Sequence, residues 1–347
     1  MRRIKFFDAT LRDGNHAVKH QLTEDNIEDY CVRMDSVGLD AIIIGHGNGL
    51  GASSLQVGLA KVSDEKMLKI GRENLKKTKL GAYMIPGYGT IRENLEPAIE
   101  LGVDMFKIGC HCTEADTTKQ HIEYLAQRQK RVYGVLMMYH MTSTENLLEQ
   151  ARKMQEYGAR GVIIMDSAGA STPELVKRTV TSLCDNLSIE VGFHAHNNLG
   201  MAVGNTYEAI LCGATIVDAT LRGFGAGAGN CQLETLVALL KKQNYEIPID
   251  LYRMMDTSEE LVSKWWAQDK GIDDISIVNG LSGTFSAFKV HVINAAKTYG
   301  VDPRDILIEA GKRKTVGGQE DVLIEIAREL SMATGKMDES YYLSSLL

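Results

Sequence analysis

A recurring alternation of short apolar runs and amphipathic segments constrains the fold of this chain more than any other feature. Eight runs rich in apolar and β-branched residues are each followed by a polar loop and then by a segment with the period of an amphipathic helix. The runs cover residues 4–10, 40–45, 79–85, 104–109, 131–138, 161–166, 189–196 and 215–220. Runs of this continuous apolar kind are typical of parallel strands that are buried on both faces.

Glycines at the ends of the helical segments support a repeated unit. Gly38, Gly102, Gly158 and Gly213 each lie between a helical segment and the next strand, where glycine ends helices because it adopts positive φ without steric cost. Eight βα units by about residue 240 predict an α/β fold, a (β/α)8 TIM barrel. The alternative is a doubly wound open sheet, which predicts a G-x-G-x-x-G turn where residues 11–16 read LRDGNH.

The strand rhythm stops after Leu240, and the residues from about 251 to 330 have helical periodicity. We expect Asp256, Asp273 and Asp302 to be helix N-caps in this part. The sequence therefore predicts a barrel domain over residues 1–250 and a small helical C-terminal domain over 251–347. This second domain is a candidate partner-contact region, and residues 331–347 are expected to be a tail.

Composition excludes several classes of protein. The 44% hydrophobic and 24% charged residues are ordinary for a globular protein, and a net charge of −7 without a long basic run argues against nucleic acid as a partner. We find no signal-peptide core and no apolar stretch of about 18 residues, so no membrane association is expected. The six scattered cysteines predict reduced thiols in the cytoplasm.

Polar residues at two predicted strand ends have the pattern of a metal site. Side chains alternate along a strand, so His194 and His196 at the end of the seventh strand point the same way. In a closed barrel only one strand separates them from Asp13, which follows the first strand. Two imidazoles and one carboxylate leave open positions for a substrate that chelates through two oxygens. The alternative is that both histidines are hydrogen-bonded core residues.

Longer motifs connect the chain to a known family. Residues 8–14 (DATLRDG) and 194–200 (HAHNNLG) resemble the metal-dependent barrel superfamily of pyruvate lyases and acyl-CoA condensing synthases. Residues 12–17 (RDGNHA), 46–47 (HG), 111–116 (HCTEAD), 225–230 (GAGAGN) and 316–321 (VGGQED) are similar to the 4-hydroxy-2-oxovalerate aldolases. The resemblance covers about residues 4–330.

The resemblance implies a reaction and a role for each matching residue. It implies a class II aldolase, which interconverts a 4-hydroxy-2-oxo acid with pyruvate and an aldehyde through a metal-stabilised enolate. The implied ligands of the divalent ion, usually Mn²⁺ with Zn²⁺, Mg²⁺ or Co²⁺ as alternatives, are Asp13, His194 and His196. Arg12 would stabilise the enolate, His16 would act as the base on the 4-hydroxyl, and Ser167 would help to hold the carboxylate. The family also implies an acylating aldehyde dehydrogenase as a partner, in a homo- or hetero-oligomer.

The chain departs from the aldolase pattern at three positions. Ile43 stands where the superfamily has a glutamate that holds the catalytic arginine, and Asn48 replaces the aspartate of H-G-D-G. Phe285, a candidate substrate contact, stands where the family presents a tyrosine from its C-terminal domain. These changes predict a diverged paralogue with a different aldehyde or a weaker activity.

Three rival functions remain open from the sequence. One is a Claisen-type synthase that condenses an acyl-CoA with a 2-oxo acid, although no basic cluster for CoA is present. Another is a non-catalytic, regulatory subunit, which Ile43 and Phe285 favour. The third is a metal-free aldolase in which Lys107 forms a Schiff base with pyruvate.

Overall fold

The chain folds as a closed barrel of eight parallel strands. The computed structural model describes residues 3–266 and 271–333. The strands are β1 (Lys5–Asp8), β2 (Ala41–Ile43), β3 (Lys79–Met84), β4 (Met105–His111), β5 (Arg131–Met137), β6 (Gly161–Asp166), β7 (Glu190–Ala195) and β8 (Ile216–Ala219). Because β1 pairs in parallel with both β2 and β8, the sheet closes on itself. The predicted TIM barrel is confirmed, and the open sheet is excluded.

Helices connect the strands and continue beyond the barrel. The α-helices are α1 (Gly14–Ala17), α2 (Glu24–Met34), α3 (Asp64–Asn74), α4 (Glu96–Glu100), α5 (Lys119–Gln127), α6 (Thr144–Glu156), α7 (Pro173–Asn186), α8 (Ala202–Leu211), α9 (Leu233–Lys242), α10 (Leu251–Thr257), α11 (Ser263–Trp265), α12 (Asp274–Ser282), α13 (Phe288–Tyr299), α14 (Pro303–Lys312) and α15 (Glu320–Ala333). Short 3-10 turns lie at Ala115–Thr118, Tyr139–Met141 and Leu221–Gly223, and π-helical segments at Ile91–Leu95 and Ser258–Val262. Among the residues described, none of the helices combines the length and apolarity that crossing a membrane requires.

Two apolar layers form the core of the barrel. Side chains such as Phe6 and Ile42 face outward and pack in the large cluster between the strands and the helices. Phe7, Ile43 and Tyr83 face inward and belong to a separate cluster inside the barrel. This alternation follows the two-residue period of a strand. The polar side chains at the carboxyl ends of the strands lie next to this inner layer.

The helices from α12 onward have an apolar core of their own. Its buried members include Phe288, Ile306 and Leu323. Backbone and side-chain hydrogen bonds tie this part to the barrel: Ser286 N donates to Ser167 O at 2.9 Å, and Asn198 Nδ2 donates to Asn279 Oδ1 at 3.0 Å. These contacts hold the loop between α12 and α13 over the carboxyl ends of the strands.

Two of the three predicted caps in this part are confirmed. The side chains of Asp273 and Asp302 cap α12 and α14. The prediction for Asp256 is wrong, because this residue lies inside α10. The cap is Asp250, whose carboxylate accepts a hydrogen bond from Arg253 N at 3.1 Å. The domain boundary at residue 250 stays a prediction, and most of the predicted tail (residues 334–347) lies outside the described residues.

Candidate active site

Three buried side chains at the carboxyl end of the barrel form a candidate metal site. Asp13 lies in the loop after β1, His194 lies in β7, and His196 lies just beyond it. Their ligand atoms are all within 4.8 Å of one another, and the residues are 2%, 0% and 4% exposed, respectively. Only β8 separates β7 from β1 in the closed barrel. Two imidazoles and one carboxylate are a donor set that divalent transition metals accept.

Within the described residues, one ring nitrogen of His194 forms a hydrogen bond and the other has no partner. Nδ1 donates to Oδ2 of Asp218, on β8, at 2.9 Å. Burial alone would raise the pKa of Asp218, but the Lys107 ammonium and the hydrogen bond from His194 outweigh it, so the pKa is lowered and the carboxylate accepts. Nε2 lies 3.8 Å from Oδ2 of Asp13 and has no hydrogen-bond partner in the described part of the chain. Since a buried polar atom without a partner is costly, His194 fits a metal ligand.

His196 and Asp13 have the protonation states that metal ligands need. Burial lowers the pKa of His196 to about 3, so its ring is neutral, and Nδ1 has no partner within residues 3–266 and 271–333. Burial would raise the pKa of Asp13, but Arg12 and the nearby histidines hold it well below the usual range. Oδ1 of Asp13 accepts hydrogen bonds from Asn230 Nδ2 at 2.9 Å and Ala226 N at 3.1 Å. Asp13 is therefore a fixed, ionised carboxylate.

A buried ion pair lies next to the candidate metal site. Lys107 on β4 and Asp218 on β8 are both 0% exposed, and their side chains pair across the barrel interior. From the sequence, Lys107 is a candidate only as a nucleophile, and Asp218 is not predicted as a site residue. The signal for it was an ionisable residue inside an apolar strand, since a buried charge needs a partner. The pairing occupies the amine of Lys107, so the Schiff-base alternative loses its support.

The guanidinium of Arg12 is held on one side only. Its Nη1 donates to Oδ2 of Asp13 at 2.8 Å and to the carbonyl oxygen of Gly47 at 3.2 Å. Its Cζ lies 4.7 Å from the centroid of the Tyr83 ring. Although Arg12 is only 3% exposed, Nε and Nη2 have no hydrogen-bond partner among the described residues. Unused donors of a buried cation beside a metal site fit an anionic substrate oxygen.

Three histidine rings form a row beside this cation. His16 and His20 meet edge to face with 5.1 Å between ring centroids, and His20 stacks on His46 at 3.7 Å. His46 is fully engaged: Nε2 donates to Gly58 O at 3.0 Å, and Nδ1 accepts from Asn48 N at 3.1 Å. Burial lowers the pKa of His16 to about 4, so the ring is neutral near pH 7. A neutral imidazole has the lone pair that a proton acceptor needs.

Most of the site residues predicted from the sequence line one small cavity. Its walls include Arg12, Asp13, His16, His196 and Phe285. A cation, a carboxylate, a neutral histidine and an aromatic ring therefore face one space at the carboxyl end of the barrel. This arrangement can bind a small anion and exchange a proton with it.

Ser167 has a different position. It is buried beyond the end of β6, where its Oγ accepts a hydrogen bond from Met138 N at 3.2 Å and its carbonyl accepts one from Ser286 N at 2.9 Å. These contacts join the end of β6 to the loop that follows β5 and to the C-terminal helices. A role of Ser167 on the substrate carboxylate stays a prediction.

Two of the three departures from the aldolase pattern line the same space, and the third lies inside the barrel. Ile43 is fully buried in the inner cluster of the barrel. Asn48 and Phe285 line the cavity. The Phe285 ring packs edge to face on Phe288, with 5.7 Å between centroids. Apolar side chains thus stand at two of the positions where the resemblance implies a carboxylate and a phenol.

Comparison with known proteins assigns the class of this barrel. Residues 3–261 match the HMGL-like family, and residues 270–332 match the DmpG-like communication domain. The fold is shared with the carboxyl transferase domain of pyruvate carboxylase from Rhizobium etli, at a TM-score of 0.80 and 16% identity over 95% of this chain and 60% of that one. The barrel with its Asp-His-His cluster is thus of the HMGL-like class.

Two curated relatives narrow the class to one family. The 4-hydroxy-2-oxovalerate aldolase of Pectobacterium atrosepticum is 49% identical over 95% of this chain and 96% of its own length. That of Spirochaeta aurantia is 49% identical over 93% of this chain and 95% of its own length. The chain belongs to the 4-hydroxy-2-oxovalerate aldolase family, and the resemblance seen in its motifs is confirmed.

Proposed function

We propose that this chain is a divalent-metal-dependent aldolase that interconverts a 4-hydroxy-2-oxo acid with pyruvate and an aldehyde. The observation that carries the proposal is the buried Asp13, His194 and His196 cluster beside the unused donors of Arg12. Family membership supplies the substrate class, because the curated relatives are 4-hydroxy-2-oxovalerate aldolases.

Asp13, His194 and His196 would hold the metal ion, which we propose to be Mn²⁺. Three features of these residues fit a metal ion: Nε2 of His194 and Nδ1 of His196 have no hydrogen-bond partner in the described residues, and the Asp13 carboxylate is ionised. When bound, a divalent ion supplies Lewis acidity toward the oxygens of the 2-oxo acid. The protein fixes the ligands beforehand: Asp218 orients the His194 ring, and Asn230 orients the Asp13 carboxylate.

Arg12 would bind and stabilise the 2-oxo acid fragment. Cleavage of the bond between C3 and C4 leaves an electron pair that becomes the negative charge of an enolate. A fixed guanidinium in a site from which water is excluded stabilises such a charge without reorganising. Nε and Nη2 of Arg12 are the donors with capacity for this, since Nη1 is already used.

His16 would act as the base. Its neutral ring takes the proton of the 4-hydroxyl while the carbonyl of the aldehyde forms. The same proton is then available for return to C3, which completes pyruvate. His16 lies on the cavity wall with Arg12, so the proton acceptor and the stabilising cation face the same substrate.

The C-terminal helices are a candidate contact surface for a partner enzyme. Residues 270–332 match a DmpG-like communication domain, and we propose that residues 251–347 contact an acylating aldehyde dehydrogenase in an oligomeric assembly. We further propose the cytoplasm as the compartment, since none of the six cysteines, which all lie in the described residues, forms a disulfide.

Pyruvate release from a panel of 4-hydroxy-2-oxo acids tests the proposal. We expect turnover that stops with a chelator, returns with Mn²⁺ and is lost in His196→Ala. His111→Ala is the matched control, because His111 contacts Thr113 at the end of β4 and lies outside the cluster. Turnover that ignores the chelator would contradict the metal mechanism. Release of a thiol from acetyl-CoA with a 2-oxo acid would instead favour the condensing synthase.

A further inference from the structure

Arg12 lacks the carboxylate partner that its superfamily resemblance implies on β2. Ile43 stands at that position, 0% exposed inside the barrel, and offers no charge. The polar contacts of the Arg12 guanidinium in the described residues all go through Nη1, to Asp13 and to Gly47 O. A long, buried side chain held at one nitrogen needs a second restraint to keep one orientation.

The ring of Tyr83 lies where such a restraint is needed. The Cζ of Arg12 is 4.7 Å from its centroid, within the range of a cation–π contact. Tyr83 is 2% exposed, and its hydroxyl donates to Met137 Sδ at 3.2 Å, which fixes the plane of the ring. Gly109 makes room for the phenol, because a Cβ at that position would lie 2.2 Å from the Tyr83 hydroxyl.

We propose that Tyr83 is the positioning residue of Arg12 and takes the place of the missing carboxylate. A carboxylate would occupy N–H donors of the guanidinium, whereas a ring face attracts the cation and occupies none. Nε and Nη2 thereby stay free for an anionic ligand while the guanidinium keeps its orientation. The inference rests on the proposed function for what that ligand is, and on the geometry alone for the contact.

Binding of oxalate tests whether Tyr83 keeps Arg12 ready for an anionic ligand. Oxalate is a dianion that chelates a metal through two of its oxygens and so mimics the pyruvate enolate. In the Mn²⁺-loaded protein we expect Tyr83→Leu to weaken oxalate binding about tenfold and Tyr83→Phe, which keeps the ring, by less than about threefold. Tyr133→Leu is the matched control, since Tyr133 is another buried tyrosine of the inner cluster but packs edge to face on Phe7. Unchanged binding in Tyr83→Leu, or an equal loss in Tyr133→Leu, would overturn the proposal.

A second substitution tests whether a carboxylate on β2 can replace the Tyr83 ring as the restraint on Arg12. Ile43→Glu, added to Tyr83→Leu, restores a carboxylate on β2, and we expect oxalate affinity to recover in this double variant. A double variant that melts like Tyr83→Leu yet binds oxalate no better would count against the exchange of ring for carboxylate.

A double-mutant cycle on the metal-free protein separates this inference from the proposed function. Tyr83→Leu, Arg12→Met and the double variant are compared by melting temperature. A direct contact makes the two shifts non-additive, whereas additive shifts would refute it. If the unaltered chain releases no pyruvate, the proposed function fails, and the cycle still decides whether Tyr83 holds Arg12.

Discussion

Two buried cations lie at different levels of the same barrel, and their surroundings differ. Lys107, inside the barrel, is fully buried and paired with Asp218. Arg12, at the cavity, pairs with the carboxylate of Asp13, a proposed metal ligand, and keeps two nitrogens without partners in the described residues. The difference teaches that burial alone does not mark a functional charge. The unsatisfied donor capacity of Arg12 distinguishes it from a cation whose charge serves the fold.

Loss of Lys107 tests the structural half of this comparison and has the largest expected effect. Lys107→Met leaves Asp218 as a buried carboxylate that keeps the hydrogen bond from His194 but has lost its lysine partner, so we expect the free energy of unfolding to fall by about 3–5 kcal/mol. Urea unfolding of the metal-free protein measures it. Lys107→Met combined with Asp218→Asn removes both charges and should recover most of the stability. A single variant as stable as the parent would show that the pair does not support the barrel.

Loss of Arg12 tests the functional half. Arg12→Met removes the cation that faces the developing charge, so we expect kcat for pyruvate release to fall about 10²–10³-fold. Metal affinity, measured by calorimetric titration with Mn²⁺, should fall much less, because Asp13 keeps its hydrogen bonds from Asn230 and Ala226. Arg12→Lys restores the charge without the fork of donors and should recover only part of the rate. If Arg12→Met lowers the free energy of unfolding as much as it raises the free-energy barrier to turnover, the role of Arg12 is structural, like that of Lys107.

Position 285 offers the smallest and most specific effect. Phe285→Tyr returns a hydroxyl to the cavity wall, and one hydrogen bond contributes about 0.5–1.5 kcal/mol. We therefore expect a change in kcat/KM of about tenfold or less, together with a change in the preferred configuration at C4. Kinetics on the two enantiomers of one substrate measure both, and Phe285→Leu separates ring packing from the hydroxyl. If neither quantity moves, this residue does not control the aldehyde.

Much of the fold and part of the site followed from local patterns. The apolar runs predicted all eight strands, and the alternation in β7 predicted that His194 and His196 face the same way. The ends were less accurate: residues 9 and 10 belong to the first predicted run, but β1 ends at Asp8, where the chain turns into the site loop.

The supporting contacts could not be predicted from sequence. The partners Lys107 and Asp218 are 111 residues apart, and their meeting depends on the register of strands on opposite sides of the barrel. The contact of Tyr83 with Arg12 likewise depends on the space that Gly109 leaves. Helix starts were partly ambiguous for a local reason, because Asp250 and Asp256 are equally good cap residues by type.

The closure of β1 against β8 also has a consequence for how the protein is made. Asp13 leaves the ribosome early, but His194 and His196, its partners in the candidate metal cluster, follow only with the seventh strand, and Asp218 only with the eighth. The nascent chain therefore cannot assemble the cluster until nearly the whole barrel has been synthesised. If the cluster binds a metal ion as proposed, that binding requires a closed sheet, and a chain truncated before β7 should bind the ion no better than an unfolded one.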